Sequence, residues 1–186
     1  MKFLIAGLGN IGTEHELTRH NIGFMAADFL AEGTGAVFSL QRLASKSEFR
    51  YKGRILHVIK PSTYMNLSGK ALLYWKNTLD VPFEQVLVIT DDVALPLGTL
   101  RMRAKGSDGG HNGLRNIAES FGSTDYPRLR IGIGDSFHKG GQVDYVLGKF
   151  GGEEMERLPD ILARTKEMVL SFCTQGIART MSQFNG

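Results

Sequence analysis

A single cysteine, Cys173, rules out an internal disulfide and any multi-cysteine zinc site. Lying in what reads as a helical stretch, it is expected to be a small apolar packing residue. Long hydrophobic runs are also missing, so no segment is expected to span a bilayer. The opening run Phe3-Leu4-Ile5-Ala6 is too short for a signal peptide and breaks at once into glycines, making a cytoplasmic location the expectation. Charge of one sign is scarce too: 22 Lys+Arg against 19 Asp+Glu leave +3, so only the placement of the cations can speak for a nucleic-acid ligand. There is no G-x-S-x-G nucleophile elbow. No histidine pair or carboxylate–histidine set has metal-ligand spacing, and neither a metal nor a cofactor is expected.

What is present is the pattern of one α/β unit. The 186 residues, 42% apolar and 22% charged, can bury a core unaided, and no repeat, low-complexity tract or linker divides them. Apolar runs at 2–8, 54–60, 85–90 and 128–134 alternate with apolar residues three or four apart: Ile22/Met25/Phe29, Leu72/Trp75/Leu79 and Leu114/Ile117/Phe121. This predicts a single-domain α/β sandwich over 1–186, with a mixed, largely parallel central sheet flanked by helices. A last helical region opens at Glu153-Glu154 and runs to about Gln175. Asn10, Tyr64-Met65-Asn66 and Asp91-Asp92 each follow an apolar run, so parallel strands would gather them in one crevice.

Gly7-Leu8-Gly9-Asn10-Ile11-Gly12 satisfies the G-x-G-x-x-G pattern, which raises a dinucleotide-dependent oxidoreductase as an alternative. That turn requires a helix from its second glycine and an acid at the end of the next strand, about twenty residues on. Here a polar "TEHELTRHNIG" follows, and Asp28 lies within a helical pattern. The glycines then serve a tight turn that leaves the Asn10 amide free to hold or polarise a carbonyl.

His20, in "TRHNIG", is a cap or surface group unless something holds it. In "VITDD", Asp91 ends an almost wholly apolar strand, a costly placement without a partner. Asp91 accepting the Nδ1 proton of His20 would leave Nε2 to take a proton from water. His111-Asn112, flanked by glycines in "GSDGGHNG", reads as a ligand loop or a flexible loop with an Asn cap; Asn66 and Ser68 are likewise candidate helix caps. Together Asn10, Asn66 and Asn112 make an uncharged polar cradle suited to ester and amide groups. In "GTLRMRAKG", Arg101, Arg103 and Lys105 alternate with Leu100, Met102 and Ala104, while Arg128 and Arg130 repeat the period. Such a face is either merely solvated or contacts phosphates. His57, in an apolar strand, reads as structural; His138 lies in the loop "SFHKGGQ".

"GLGNIG", "TRHNIG", "TYMNLSGKA", the Asp pair after its apolar strand, "GGHNGLRNI" and "RLRIGIG" occur in an order and at separations that resemble bacterial-type peptidyl-tRNA hydrolase over essentially the whole chain. The resemblance implies metal- and cofactor-free hydrolysis of the ester joining a peptide to the 3′ ribose of tRNA. It implies His20 as the base, Asp91 as the carboxylate that keeps it in working form, and Asn10 as a residue that distinguishes N-blocked peptidyl-tRNA. Tyr64, Asn66 and Asn112 match substrate-holding positions, with Met65, His111 and the ring of His15 beside them. Arg103, Lys105 and Arg130 match phosphate-gripping cations, and 136–148 looks like a mobile lid. A monomer needing no protein partner and no membrane is expected. The sequence departs from the family's pattern at Ile11, where proline is usual, at His15, where tyrosine or phenylalanine is typical, and at Ala94, where an acid is common. A non-catalytic RNA-binding module remains the rival reading.

Overall fold

Four segments dominated by buried side chains become adjacent parallel strands, β1 (Lys2–Gly7), β4 (Arg54–Pro61), β5 (Val86–Asp92) and β7 (Arg128–Gly132). They form the centre of a seven-stranded sheet in a computed structural model that describes residues 1–185. Two further strands, β2 (Ser39–Gln41) and β3 (Ala44–Tyr51), pair antiparallel outside β4, and β6 (Leu100–Arg103) pairs antiparallel outside β7. The order is β2-β3-β4-β1-β5-β7-β6, the mixed, largely parallel sheet expected from the alternating pattern.

Strand β3 carries no apolar run. Its place is set by the reversal at Lys52-Gly53, whose φ values of 46° and 79° give the twist that joins two antiparallel strands through two residues. The sheet is covered on both faces because side chains alternate along each strand. Phe3 and Ile5 of β1 face α1 (Ile22–Ala31) and α5 (Gly152–Gln175), meeting Ile22, Leu30, Met168 and Phe172. Leu4 and Ala6 face α2 (Ser68–Leu79) and α3 (Asn112–Phe121), meeting Leu72, Trp75, Leu114 and Ile117. In α1 the buried stripe is Ile22, Ala26, Ala27 and Leu30, so Met25 and Phe29 lie on its flank rather than its centre. A short α4 (Gln142–Val146) precedes α5, and α6 (Ile177–Phe184) follows it.

The exposed edge of β6 is closed by one side chain. Asn185 Oδ1 accepts from the Met102 N–H at 2.9 Å, and its Nδ2 donates to the Met102 carbonyl at 3.0 Å, so an amide stands in for a neighbouring strand. Among the described residues no helix is long and apolar enough to cross a membrane. Cys173 packs in the α1/α5 core at 3% exposure, and burial pushes its thiol up to about 12. The native protein is therefore expected to show no labelling by a water-soluble disulfide reagent at neutral pH, and one equivalent after denaturation. Rapid labelling of the folded chain would contradict this packing.

Candidate active site

Because β1, β4, β5 and β7 run parallel, the loops leaving their carboxyl ends share one edge of the sheet. The first of them is the Asn10 turn. Its glycines serve chain-to-chain approach: a Cβ on Gly7 would meet the Gly23 carbonyl oxygen at 2.0 Å, and one on Gly9 the Phe24 ring at 2.7 Å. After it the chain makes a 3-10 turn at Thr13–His15, and α1 does not begin until Ile22. No helix N-terminus is presented to a pyrophosphate at Gly9, which removes the dinucleotide reading.

Asn10 is fixed from two sides. Its backbone N–H donates to Asn21 Oδ1 at 2.8 Å, Asn21 Nδ2 donates back to the Asn10 carbonyl at 2.9 Å, and Asn10 Oδ1 accepts from the Met65 N–H at 2.9 Å. With its oxygen used, Asn10 is left with two Nδ2 hydrogens as donors in the cleft it lines. Buried Asn21 was not singled out by the sequence, where it read as part of a helix start.

His20 stands in a 3-10 turn at Arg19–Asn21 that leads into α1. Its Nδ1 lies 2.8 Å from Oδ2 of Asp91, at the end of β5, so Nδ1–H is the donor and Nε2 remains for the cleft. Asp91 is 4% exposed. Burial alone would favour its neutral acid, but the interactions of His111 and His20 outweigh that and hold the carboxyl well below the usual carboxylate range.

His111 is the second ring on this carboxylate. Its Nδ1 accepts from the N–H groups of Gly113 and Leu114 at 3.1 and 3.3 Å, capping α3, so its proton sits on Nε2. Nε2 in turn lies 2.9 Å from Asp91 Oδ1 and 2.6 Å from Thr90 Oγ1. The two rings are 5.0 Å apart between centroids. Donor atoms of His20, Asp91 and His111 fall within 4.8 Å of one another, yet the set does not suit a metal. The one lone pair of neutral His111 points at the backbone of α3, and a ligand nitrogen must offer its lone pair to the ion.

The cleft above this cluster encloses about 740 Å³ and is lined by Asn10, His20, Tyr64, Met65, Asn66 and Asn112 among others. Neither Asn66 nor Ser68 caps α2, contrary to what the sequence allowed. Ser68 Oγ donates to the Met65 carbonyl at 2.7 Å, and the Gly69 N–H is taken at 2.7 Å by Asn116 Oδ1 from α3, a residue that nothing in the sequence marks for this role. Asn66 is thus exposed on the cleft wall, as is Asn112. His15 does not line the cleft; its ring lies 3.7 Å from Glu14, and its carbonyl accepts from Thr18 Oγ1 at 2.9 Å.

The cations separate. Arg130 lines the cleft, 3.6 Å from Asp92 Oδ2 and bonded to the Ser107 carbonyl. Arg103 is exposed on β6 and Lys105 is exposed just beyond it. Arg128 departs from the expected cationic face: it is 1% exposed and donates to the carbonyls of Gly106, Ser107, Thr124 and Tyr126. The alternation also ends at Arg103, since Ala104 is exposed. Within 136–148, Phe137, Lys139, Gln142 and Val143 line the cleft. Arg19 ties this segment to the His20 turn, donating to the Tyr145 carbonyl at 3.0 Å and pairing with Glu154 at 2.7 Å. His57 is buried in β4 with neither ring nitrogen bonded; burial first and the Lys46 charge second push its pKa down.

The family model described as peptidyl-tRNA hydrolase matches residues 4–186. Peptidyl-tRNA hydrolases from Cytophaga hutchinsonii and Porphyromonas gingivalis are each 55% identical over 185 residues, spanning all of this chain and 98% and 100% of theirs. The crystal structure of peptidyl-tRNA hydrolase from Acinetobacter baumannii superposes with a TM-score of 0.92 at 30% identity, over 99% of this chain and 94% of that one. A nucleosidase from Helicobacter pylori, at TM-score 0.54 and 10% identity, shares the fold alone. With its motifs gathered at one sheet edge and matched along its whole length, the chain belongs to the peptidyl-tRNA hydrolase family.

Proposed function

We propose that the cleft hydrolyses the ester between a peptide and the 3′ ribose of tRNA, with water activated by His20. The observation that carries this is the 2.8 Å bond from His20 Nδ1 to Asp91 Oδ2, which leaves Nε2 as the ring atom available to a water in the cleft. His20 Nε2 takes a proton as the water oxygen bonds to the ester carbonyl carbon, and Asp91 stabilises the imidazolium that forms. The Asn10 Nδ2 hydrogens serve the oxyanion or the blocked amino group of the substrate. When the carbon–oxygen bond to the ribose breaks, the proton on His20 passes to the departing 3′ oxygen. Two ordinary carbonyl-chemistry steps thus need neither a serine nucleophile nor a metal.

Tyr64, Met65, Asn66 and Asn112 would hold the acyl end, while Arg103, Lys105 and Arg130 would meet tRNA phosphates, giving salt-sensitive affinity. Segment 136–148 would serve as a lid over the ester. His15, away from the cleft lining, has no part in this scheme, and His111, which lines the cleft, acts on Asp91. The protein would work as a monomer in the cytoplasm.

The test is cleavage of N-acetyl-aminoacyl-tRNA, with free aminoacyl-tRNA as the control. Wild type is expected to cleave the first and spare the second. Asn10→Asp keeps an oxygen for the Met65 N–H but replaces both cleft donors by an acceptor. It should lose on the order of 100-fold in kcat/KM while melting close to wild type. Full activity in that variant would remove Asn10 from the chemistry, and no cleavage by wild type would refute the function.

A further inference from the structure

Asp91 has two oxygens, and only Oδ2 is needed by His20. Oδ1 is engaged by two residues that the scheme above does not use as acid, base or substrate contact, Thr90 beneath the cleft and His111 at its wall. Thr90 is 0% exposed and His111 Nε2 lies 2.6 Å from its Oγ1. Thr90 Oγ1 is in turn 3.3 Å from Asp91 Oδ1, while His111 Nε2 is 2.9 Å from that same oxygen.

We propose that Thr90 and His111 are positioning residues: their O–H and Nε2–H groups converge on Oδ1 of Asp91, so that Oδ2 alone meets His20 and aims its Nε2 at the cleft. The proton directions follow from valence. Because His111 Nδ1 receives the Gly113 and Leu114 N–H groups, Nε2 must be the donor. The single Nε2–H is then shared between Asp91 Oδ1 and the Thr90 oxygen, and the Thr90 hydroxyl gives its own hydrogen to Oδ1. A chain of donors beginning at the N-terminus of α3 therefore ends on the carboxylate, each bond polarising the next. Around Asp91 the ionisable groups are His20, His111 and Asp92, the last paired with Arg130 at 3.6 Å. Of these, His20 is the one whose lone pair stays open.

This rests on His20 being the base, and the experiment separates the two ideas. Thr90→Val keeps shape and removes the hydroxyl; Thr90→Ser restores it. With fewer donors on Oδ1, the carboxylate pulls harder on the His20 proton and holds its direction less well. Thr90→Val is expected to lower kcat about tenfold, as for a lost hydrogen bond to a charged group. KM should stay within about twofold, because Thr90 is sealed from substrate. The acid limb of the kcat profile should move to higher pH, and Thr90→Ser should recover wild-type values. A Thr90→Val enzyme with unaltered kcat and pH profile, or a Thr90→Ser enzyme as impaired as Thr90→Val, would overturn the proposal. Histidine ¹⁵N spectra of the unmutated protein give a second readout without turnover. Nε2–H on His111 is expected, and Nδ1–H there would overturn the proposal whatever His20→Ala does to hydrolysis.

Discussion

Replacing His20 by alanine is expected to lower kcat/KM for N-acetyl-aminoacyl-tRNA by on the order of 10³-fold, the scale of a positioned general base. The fold should survive. His20 lies on the cleft wall, so the space it vacates opens to water rather than leaving a dry cavity. Nor is Asp91 orphaned: its Oδ1 keeps the His111 and Thr90 donors. Melting within a few degrees of wild type and unchanged binding of deacylated tRNA are the accompanying expectations, because the exposed Arg103 and Lys105 are untouched. Hydrolysis by the variant at a rate near wild type would sink the base assignment, while loss of cleavage with tRNA binding intact would uphold it.

Asp91→Asn is expected to be nearly as damaging, through the position of one proton. His111 can only donate from Nε2, so the oxygen of the introduced amide must turn toward it and the NH₂ group toward His20. His20 Nδ1 then becomes the acceptor, and the ring proton moves to Nε2, the atom facing the cleft. A base with its lone pair pointed away from water cannot act. The comparable change in a serine-protease triad, where the wrong tautomer results, costs about 10⁴ in kcat, and a loss of roughly 10³ to 10⁴ is the expected scale here. Steady-state rates checked against histidine ¹⁵N spectra measure cause and effect together. An Asp91→Asn protein that retains Nδ1–H on His20, or turns over within about tenfold of wild type, would break this account.

The His20–Asp91 pair was legible in the sequence, because an acid at the end of an apolar strand needs a partner and the motif resemblance pointed to His20. Asn10 was legible for a related reason: a glycine turn that fails the dinucleotide test leaves its one polar side chain unexplained. Other residues were not. Asn21 and Asn116 act by bonding backbone groups of other segments, and Thr90 by bonding a ring and a carboxylate. Nothing in their neighbours marks those roles. Arg128 and Arg130 look equivalent on a period of two, yet one is buried among four carbonyls and the other borders the cleft. His15 reads as a wall residue from its place in the resemblance and does not line the cleft.

Apolar periodicity by itself determined that strands and helices alternate, because burial on one or both faces is a local property of each segment; that the central strands run parallel and gather the polar loops at one edge was an expectation that only the pairing of distant segments decided. The inventory of a base, an acid and three amides was likewise written in the chain. Where each proton sits was decided only by the tertiary structure. The bonds that bring both rings to Asp91 join residues 71 and 20 positions apart, and a hydrogen bond depends on distances and directions that no local pattern encodes.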